Sequence, residues 1–285
     1  MTKARYSKLI FALLFGPTFL FHIANAQQEQ VVSSEIIKTA EGLKETDKKL
    51  RLSVGKKAAD LKQAEPSESR VVFTQLADNA WMHTSYKNIK PWGLILTNGL
   101  LIERDDHSVL IDTAWNDEQT SQIVDWAKKE LGKPIKASIH THAHSDKMGG
   151  MAVLHKAGIE TFANSLSNEL APSHNLLPAN NDLPISAIGD QIKWQGLDVL
   201  YPGGGHTEDN IVVYDEISNI IFGGCLIRPG STKTLGNTSD ANLDYWSQSA
   251  QNVANAFPTA IIVIPSHGKP GGREVLTNTI KITKH

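Results

Sequence analysis

Histidine, aspartate and cysteine residues directly follow the ends of four separate apolar segments of this chain. The first group is His142, His144 and Asp146, which come just after a segment that ends at His140. Three single residues of the same kind follow later segments: His206, Cys225 and His267. Functional side chains gather on turns that a rigid scaffold holds, so this distribution favours a sheet-rich fold with one site at its strand ends.

Strand-like and helical patterns alternate through the rest of the chain. The predicted strands are 71–73, 80–83, 93–96, 99–102, 109–111, 136–140, 191–201, 210–214, 220–222 and 261–264. The predicted helices are one capped by Asn116 or Asp117 and running through Leu131, then 151–157, 240–256 and 273–282. Two halves that each run from sheet to helix predict an α/β fold, a sandwich of two mixed β-sheets with helices on both outer faces.

The first 26 residues have the pattern of a secretory signal peptide. Basic residues precede an apolar run at 9–21, and Ala24-Asn25-Ala26 is a small-residue cleavage site. A transmembrane anchor is the alternative, but Gly16 and Pro17 interrupt the run, which is shorter than the roughly 20 residues that span a bilayer. We therefore expect cleavage after Ala26 and a periplasmic mature protein without a membrane anchor.

The mature chain divides into an extension at 27–69 and a main domain at 70–285. The extension is polar and charged, with apolar residues at helical spacing, which predicts a helical or tethering segment that is largely solvated. The whole chain has 28 basic and 30 acidic residues, so we expect no nucleic-acid partner. We expect a monomer.

The motif around His142 has the donor types of a zinc site. Residues two apart at the end of an extended strand point to one side, so the imidazoles of His142 and His144 converge with the carboxylate of Asp146. A polar turn in which Asp146 caps the next helix is the alternative. Cys225 is the only cysteine, and a lone thiol in an exported protein indicates either burial or a metal.

With these residues the chain resembles the metallo-β-lactamases of the first subclass of class B, with the New Delhi and Verona types nearest. The resemblance runs from about Val71 to Lys284. Its matching stretches are 81–87, 111–115, 141–150, 205–207, 223–227 and 235–237. It implies the metallo-β-lactamase-like αββα sandwich.

The resemblance also implies a cofactor and a reaction. Two Zn²⁺ ions are expected, one held by His142, His144 and His206, and the other by Asp146, Cys225 and His267. The expected reaction is hydrolysis of the β-lactam amide bond of penicillins, cephalosporins and carbapenems by a zinc-bound hydroxide, which confers antibiotic resistance. Asp146 would orient the nucleophile as well as bind metal.

Substrate contacts are implied for four further residues. Arg228 stands where the family commonly has a lysine that pairs with the substrate carboxylate, and Asn237 where an asparagine approaches the carbonyl oxygen. Tyr86 and Trp92 belong to a segment that resembles the flap over bound antibiotic. The alternatives are a surface arginine paired with an acid, a turn-forming Asn237 and a plain hairpin loop.

Other aromatic and basic residues receive supporting roles. Lys147 resembles the family cation beside the aspartate ligand, and packing is the expected role of Trp115. His140 allows a competing His140-x-His142-x-His144 site, but that site lacks a suitably placed carboxylate, so we assign His140 to the core or to ligand support. The histidines assigned to structure alone are His83, His107, His155 and His174.

Two other functions fit parts of the pattern. Thioester hydrolases of the glyoxalase type usually place a ligating histidine after the motif aspartate, where this chain has Lys147. A non-catalytic zinc-binding protein would need closed coordination, whereas a three-histidine set leaves one position open.

Overall fold

The computed structural model describes residues 66–284. The predicted signal peptide, its cleavage site after Ala26 and residues 27–65 of the predicted extension lie outside the described residues. The last part of that extension contacts the main domain, because the Glu68 carbonyl accepts a hydrogen bond from Gln119 Nε2 and its carboxylate accepts one from the Asn88 amide.

The first of two sheets has seven strands in chain order, β1 to β7. The first four are antiparallel neighbours, and β4 to β7 pair in parallel. The strands are β1 (Val72–Ala77), β2 (Ala80–Ile89), β3 (Gly93–Glu103), β4 (Ser108–Ile111), β5 (Ile135–His140), β6 (Glu160–Asn164) and β7 (Asn181–Leu183). Buried residues occupy both faces of β3 and β4, as the middle layers of a sandwich require.

The second sheet has five strands in the order β12-β11-β10-β9-β8, of which only β11 and β12 pair in parallel. The strands are β8 (Gln191–Trp194), β9 (Leu197–Leu200), β10 (Val212–Asp215), β11 (Ile220–Gly224) and β12 (Ile262–Pro265). The Asn98 amide of β3 donates to the Ser266 carbonyl just after β12 over 2.7 Å. This bond joins the two sheets at the end where the metal-ligand residues lie.

Helices cover the outer face of each sheet. They are α1 (Asp117–Lys129), α2 (Ser145–Met148), α3 (Met151–Lys156), α4 (Ser165–Leu170), α5 (Leu243–Ala256) and α6 (Glu274–Ile282), with a 3₁₀ helix at Ala171–His174. Ile123 of α1 and Leu154 of α3 pack on Leu110 of the first sheet, while Trp246 of α5 and Leu276 of α6 belong to the core of the second. The predicted sandwich of two mixed sheets is confirmed.

Most predicted elements are present, with three differences. The segments predicted as strands 93–96 and 99–102 form one strand, β3, because Gly99 is accommodated inside it against His83. The strand predicted at 191–201 is a hairpin that turns at Gln195 and Gly196, both of which have positive φ. The strands β6 and β7, the short helices α2 and α4 and the 3₁₀ helix were not predicted.

None of the helices within 66–284 combines the length and the apolar composition needed to cross a membrane.

Candidate metal centre

The turn after β5 carries His142, His144 and Asp146, and a buried carboxylate fixes its path. Asp112 follows β4 with a φ of 62°, and its two oxygens accept hydrogen bonds from the Thr141 amide at 2.7 Å and the Thr141 hydroxyl at 2.8 Å. An aspartate tolerates this left-handed conformation better than most residues. The parallel neighbour of β5 thereby holds the start of the motif in place.

The imidazoles of His142, His144 and His206 form the first group of donors. One ring nitrogen of each lies within 4.8 Å of the others, and His206 Nε2 is 3.3 Å from His144 Nδ1. Nε2 of His142 is fully buried and has no hydrogen-bond partner in the described part of the chain. A buried nitrogen without a partner is costly, and a cation between the three rings would satisfy it.

Hydrogen bonds on the far sides of the His142 and His144 rings point their lone pairs inward, whereas Nδ1 of His206 is buried without a hydrogen-bond partner among residues 66–284. His144 Nε2 donates to the carboxylate of Asp240 over 2.9 Å, which leaves Nδ1 as the acceptor that faces His206. His142 Nδ1 donates to the Thr141 hydroxyl, which itself donates to Asp112. Burial lowers the pKa of His142 and His206 well below its usual value, so both rings are neutral, as metal ligands must be.

Asp146, Cys225 and His267 form a second group of donors. Cys225 Sγ lies 3.5 Å from Asp146 Oδ2 and 3.3 Å from His267 Nε2, and the last two atoms are 3.5 Å apart. A tetrahedral zinc ion with bonds of about 2.0–2.3 Å separates its ligands by about 3.3–3.8 Å. His267 Nδ1 donates to the Leu96 carbonyl over 2.7 Å, so its Nε2 lone pair faces the other two donors. The second group therefore fits zinc.

The charge states of this second group suit a cation. Burial, reinforced by Asp146, raises the pKa of the Cys225 thiol, so the thiol keeps its proton until a cation displaces it. Burial alone would raise the pKa of Asp146, but Lys147 and His267 outweigh it and hold the pKa well below its usual range. Asp146 is therefore ionised.

Lys147 is the cation that keeps Asp146 in place. Its side chain is fully buried, and Nζ lies 3.1 Å from Asp146 Oδ2 and 3.7 Å from Asp112 Oδ2. It donates to the Thr97 hydroxyl over 2.7 Å, and that hydroxyl donates to Asp146 over 3.0 Å. The amine thus anchors the aspartate and has no free lone pair for a metal.

Both donor groups border a cavity of about 840 Å³. Ile89, Trp92 and Ile95 of the β2–β3 hairpin form one wall, and Trp92 is 66% exposed. Tyr86 does not line the cavity, because it lies farther back along β2, where its carbonyl accepts from Gln119. Trp115, for which packing was favoured over lining the pocket, does both, since it is buried and part of the cavity wall.

Arg228 and Asn237 also line this cavity. Arg228 is buried, its Nε has no hydrogen-bond partner, and it forms no ion pair with any residue of 66–284. This excludes a surface ion pair with a described acid as its role. The side-chain Oδ1 of Asn237 accepts a hydrogen bond from the Ser239 backbone amide over 3.2 Å, as a turn-forming asparagine does.

The core position expected as one of two roles for His140 is observed, whereas His174 and Asp240 have positions that the sequence did not predict. His140 is a core residue, since Nδ1 donates to the Lys147 carbonyl and Nε2 accepts from Ser138, so it cannot join a metal. His174, assigned to structure, lines the cavity with its ring 5.2 Å from that of His144. Its position, and that of Asp240, depend on loops without periodic patterns. Only the rule that the outer nitrogen of a metal-ligating histidine is hydrogen-bonded could have suggested that His144 needs a partner such as Asp240.

Comparisons with known proteins agree with this geometry. A profile of the Metallo-beta-lactamase superfamily matches residues 92–267. The "Metallo-beta-lactamase type 2" of Bacillus cereus is 35% identical over 214 residues, which is 75% of this chain and 83% of the relative.

Solved structures are also similar. A metallo-β-lactamase from Hirschia baltica is 64% identical with a TM-score of 0.74, covering 75% of this chain and 98% of that one. FIM-1 from Pseudomonas aeruginosa, solved in a mono-zinc form, is 45% identical with a TM-score of 0.73, covering 77% of this chain and 97% of that one. Sequence, fold and donor geometry agree, and the chain belongs to the metallo-β-lactamase superfamily.

Proposed function

We propose that this protein hydrolyses the β-lactam amide bond of antibiotics with two zinc ions and thereby confers resistance. The observation that carries the proposal is the pair of donor groups beside one cavity, with separations that suit zinc. His142, His144 and His206 would hold one ion, and the other would be held by Asp146, Cys225 and His267. Bound zinc polarises a carbonyl oxygen and makes a coordinated water acidic near neutral pH.

The protein's own residues supply position and charge for this reaction. Asp146 is ionised and held by Lys147 and Thr97, so it can orient the attacking water while it binds metal. Asn237 lies on the cavity wall, and its side-chain amide is our candidate for contact with the lactam carbonyl oxygen. Trp92 and its neighbours on the hairpin offer apolar area to the variable substituents and exclude water from the reacting bond.

Arg228 would bind the carboxylate that penicillins, cephalosporins and carbapenems all carry. Burial lowers the pKa of its guanidinium, but an arginine keeps its charge, and this one faces the cavity without an ion-pair partner among residues 66–284. Two zinc ions also bring four positive charges against the two negative ligands Asp146 and Cys225. Both features favour an anionic substrate, so we include carbapenems in the proposed spectrum.

Three further proposals concern the whole chain and rest on the sequence. Residues 1–26 would direct export and be cleaved after Ala26, which places the mature enzyme in the periplasm. Residues 27–69 would form an extension ahead of a catalytic domain at 70–285. We propose that the mature enzyme acts as a monomer.

The test is hydrolysis of a cephalosporin and a carbapenem by the purified mature protein, with chelator and then with zinc restored. We expect turnover that chelation abolishes and zinc recovers. His206→Ala should bind one zinc less and lose most of its turnover, whereas His107→Ala, on the surface beside Asp106, should match the wild type. Bound zinc without hydrolysis of any β-lactam would mean that the zinc ligands are assigned correctly but that the protein acts on another class of substrate.

A further inference from the structure

The outer edge of His144 faces ligand-type side chains that the proposed zinc sites do not use. Its Nε2 lies 2.9 Å from Oδ2 of Asp240, and the His174 ring stands 5.2 Å from its own ring at 74°. One donor atom from each of the three residues lies within 4.8 Å of the others. All three residues line the cavity.

Separate surface segments bring His174 and Asp240 to this position. His174 ends the 3₁₀ helix Ala171–His174, and Asp240 lies before α5 with its side chain 42% exposed. Tetrahedral zinc with bonds of about 2.0–2.2 Å holds its nitrogen and oxygen donors about 3.3–3.6 Å apart. Here the His144–Asp240 pair is closer than that, at 2.9 Å, and the three donors lie within 4.8 Å of one another, so a bound ion requires the Asp240 carboxylate to move away from His144 and the half-buried His174 ring to approach.

We propose that His174, Asp240 and the outer nitrogen of His144 bind an additional divalent cation of the zinc class at the cavity wall. Two imidazoles and a carboxylate are a donor set that zinc prefers, and exposure of Asp240 leaves room for water as a fourth ligand. Within residues 66–284, the only ion-pair partner of Asp240 is His144, so no lysine or arginine competes for the carboxylate.

A cation at this outer site competes with the inner zinc ion for the lone pair of His144. His144 turns Nδ1 towards His206 and Nε2 towards Asp240, and a neutral imidazole has only one lone pair to give. An outer ion therefore weakens the hold of His144 on the inner ion. It also occupies cavity space that an antibiotic needs, a consequence that rests on the proposed function. We expect excess zinc to inhibit hydrolysis.

Equilibrium dialysis against rising free zinc tests the site without reference to activity. We expect the wild type to bind one more ion than His174→Ala at excess zinc, or the variant to bind that ion about tenfold or more weakly. His107→Ala is the matched control, because it removes a histidine that lies 2.7 Å from the Asp106 carboxylate on the surface. Identical curves for the wild type and His174→Ala would overturn the proposal, as would loss of the extra ion in His107→Ala.

Cephalosporin hydrolysis over the same zinc series separates the two proposals. Inhibition of the wild type at high zinc that disappears in His174→Ala supports the outer site as its cause. Equal inhibition of both proteins would refute the outer site as the cause of inhibition and leave the proposed function intact. Absence of hydrolysis at every zinc concentration would refute the proposed function, while the dialysis difference would still report on the outer site.

Discussion

Replacing the buried amine of Lys147 should be among the most damaging single changes outside the donor groups. Lys147→Met keeps most of the side-chain volume but removes the cation that stands 3.1 Å from Asp146 and 3.7 Å from Asp112. Both carboxylates are then buried without a positive charge, and removing one partner of a buried ion pair costs about 3–5 kcal/mol. We expect the free energy of unfolding of the zinc-free protein to fall by about that amount.

Urea unfolding of the zinc-free protein at pH 7.5 measures this loss. Lys133→Met is the matched control, since Lys133 lies 3.0 Å from Glu103 but both side chains are partly exposed, and such a pair contributes about 0–1 kcal/mol. Adding Asp112→Asn to Lys147→Met removes one stranded charge and should recover part of the loss. A loss below about 1 kcal/mol for Lys147→Met would refute the assignment of Lys147 as the anchor of Asp146.

The loss should also depend on pH with a definite sign. Burial alone would raise the pKa of Asp146, and Lys147 is the main group that holds it below its usual range, so Lys147→Met should raise this folded-state pKa above the unfolded value. A carboxyl whose folded pKa exceeds its unfolded value of about 3.9 binds more protons when folded, so stability falls as pH rises between the two values. The difference between Lys147→Met and the wild type should therefore shrink as the pH is lowered from 7 towards 5. A difference independent of pH would count against this electrostatic cause.

Three further substitutions test other parts of the site. Cys225→Ser should weaken the second zinc and spare much of the first, because a hard hydroxyl replaces a soft thiolate, and zinc titration of both proteins would measure it. Arg228→Ala should raise KM more than it lowers kcat if its contact serves ground and transition states alike; steady-state kinetics showing the reverse would place Arg228 in the chemical step. Gly99→Ala should cost about 1–3 kcal/mol in urea unfolding, because the new Cβ would lie 2.8 Å from the Ile111 carbonyl, and a neutral effect would contradict the close packing of β3.

The predictable part of the fold is the part with strong local patterns. The helix α1 was predicted from a capping residue, Asn116 or Asp117, and from apolar residues at helical spacing; in the structure Asn116 is the N-cap and accepts a hydrogen bond from the Gln119 amide. The strand β6 was not predicted, because Glu160–Asn164 has little apolar alternation and is held by parallel pairing with β5. Such pairing depends on residues that are distant in sequence.

The candidate site was predictable where motif residues carry it. All six proposed ligands follow strand ends, and the two donor groups assemble as the resemblance implied. The hydrogen bonds around the ligands were not predictable, because their partners come from segments remote in sequence. Examples are the Thr97 hydroxyl, which donates to Asp146, and the Asp240 carboxylate, which accepts from His144. Tyr86 is the clear exception among the predicted residues, since the cavity wall begins farther along the hairpin, at Ile89.

The most direct test of the two proposed zinc positions is anomalous X-ray scattering from crystals of the mature protein grown with two equivalents of zinc. We predict two peaks at the zinc edge, one between the nitrogens of His142, His144 and His206, and one between the donor atoms of Asp146, Cys225 and His267. Peaks elsewhere in the protein, or an empty second position with Cys225 still reduced, would contradict the two-ion account of this site.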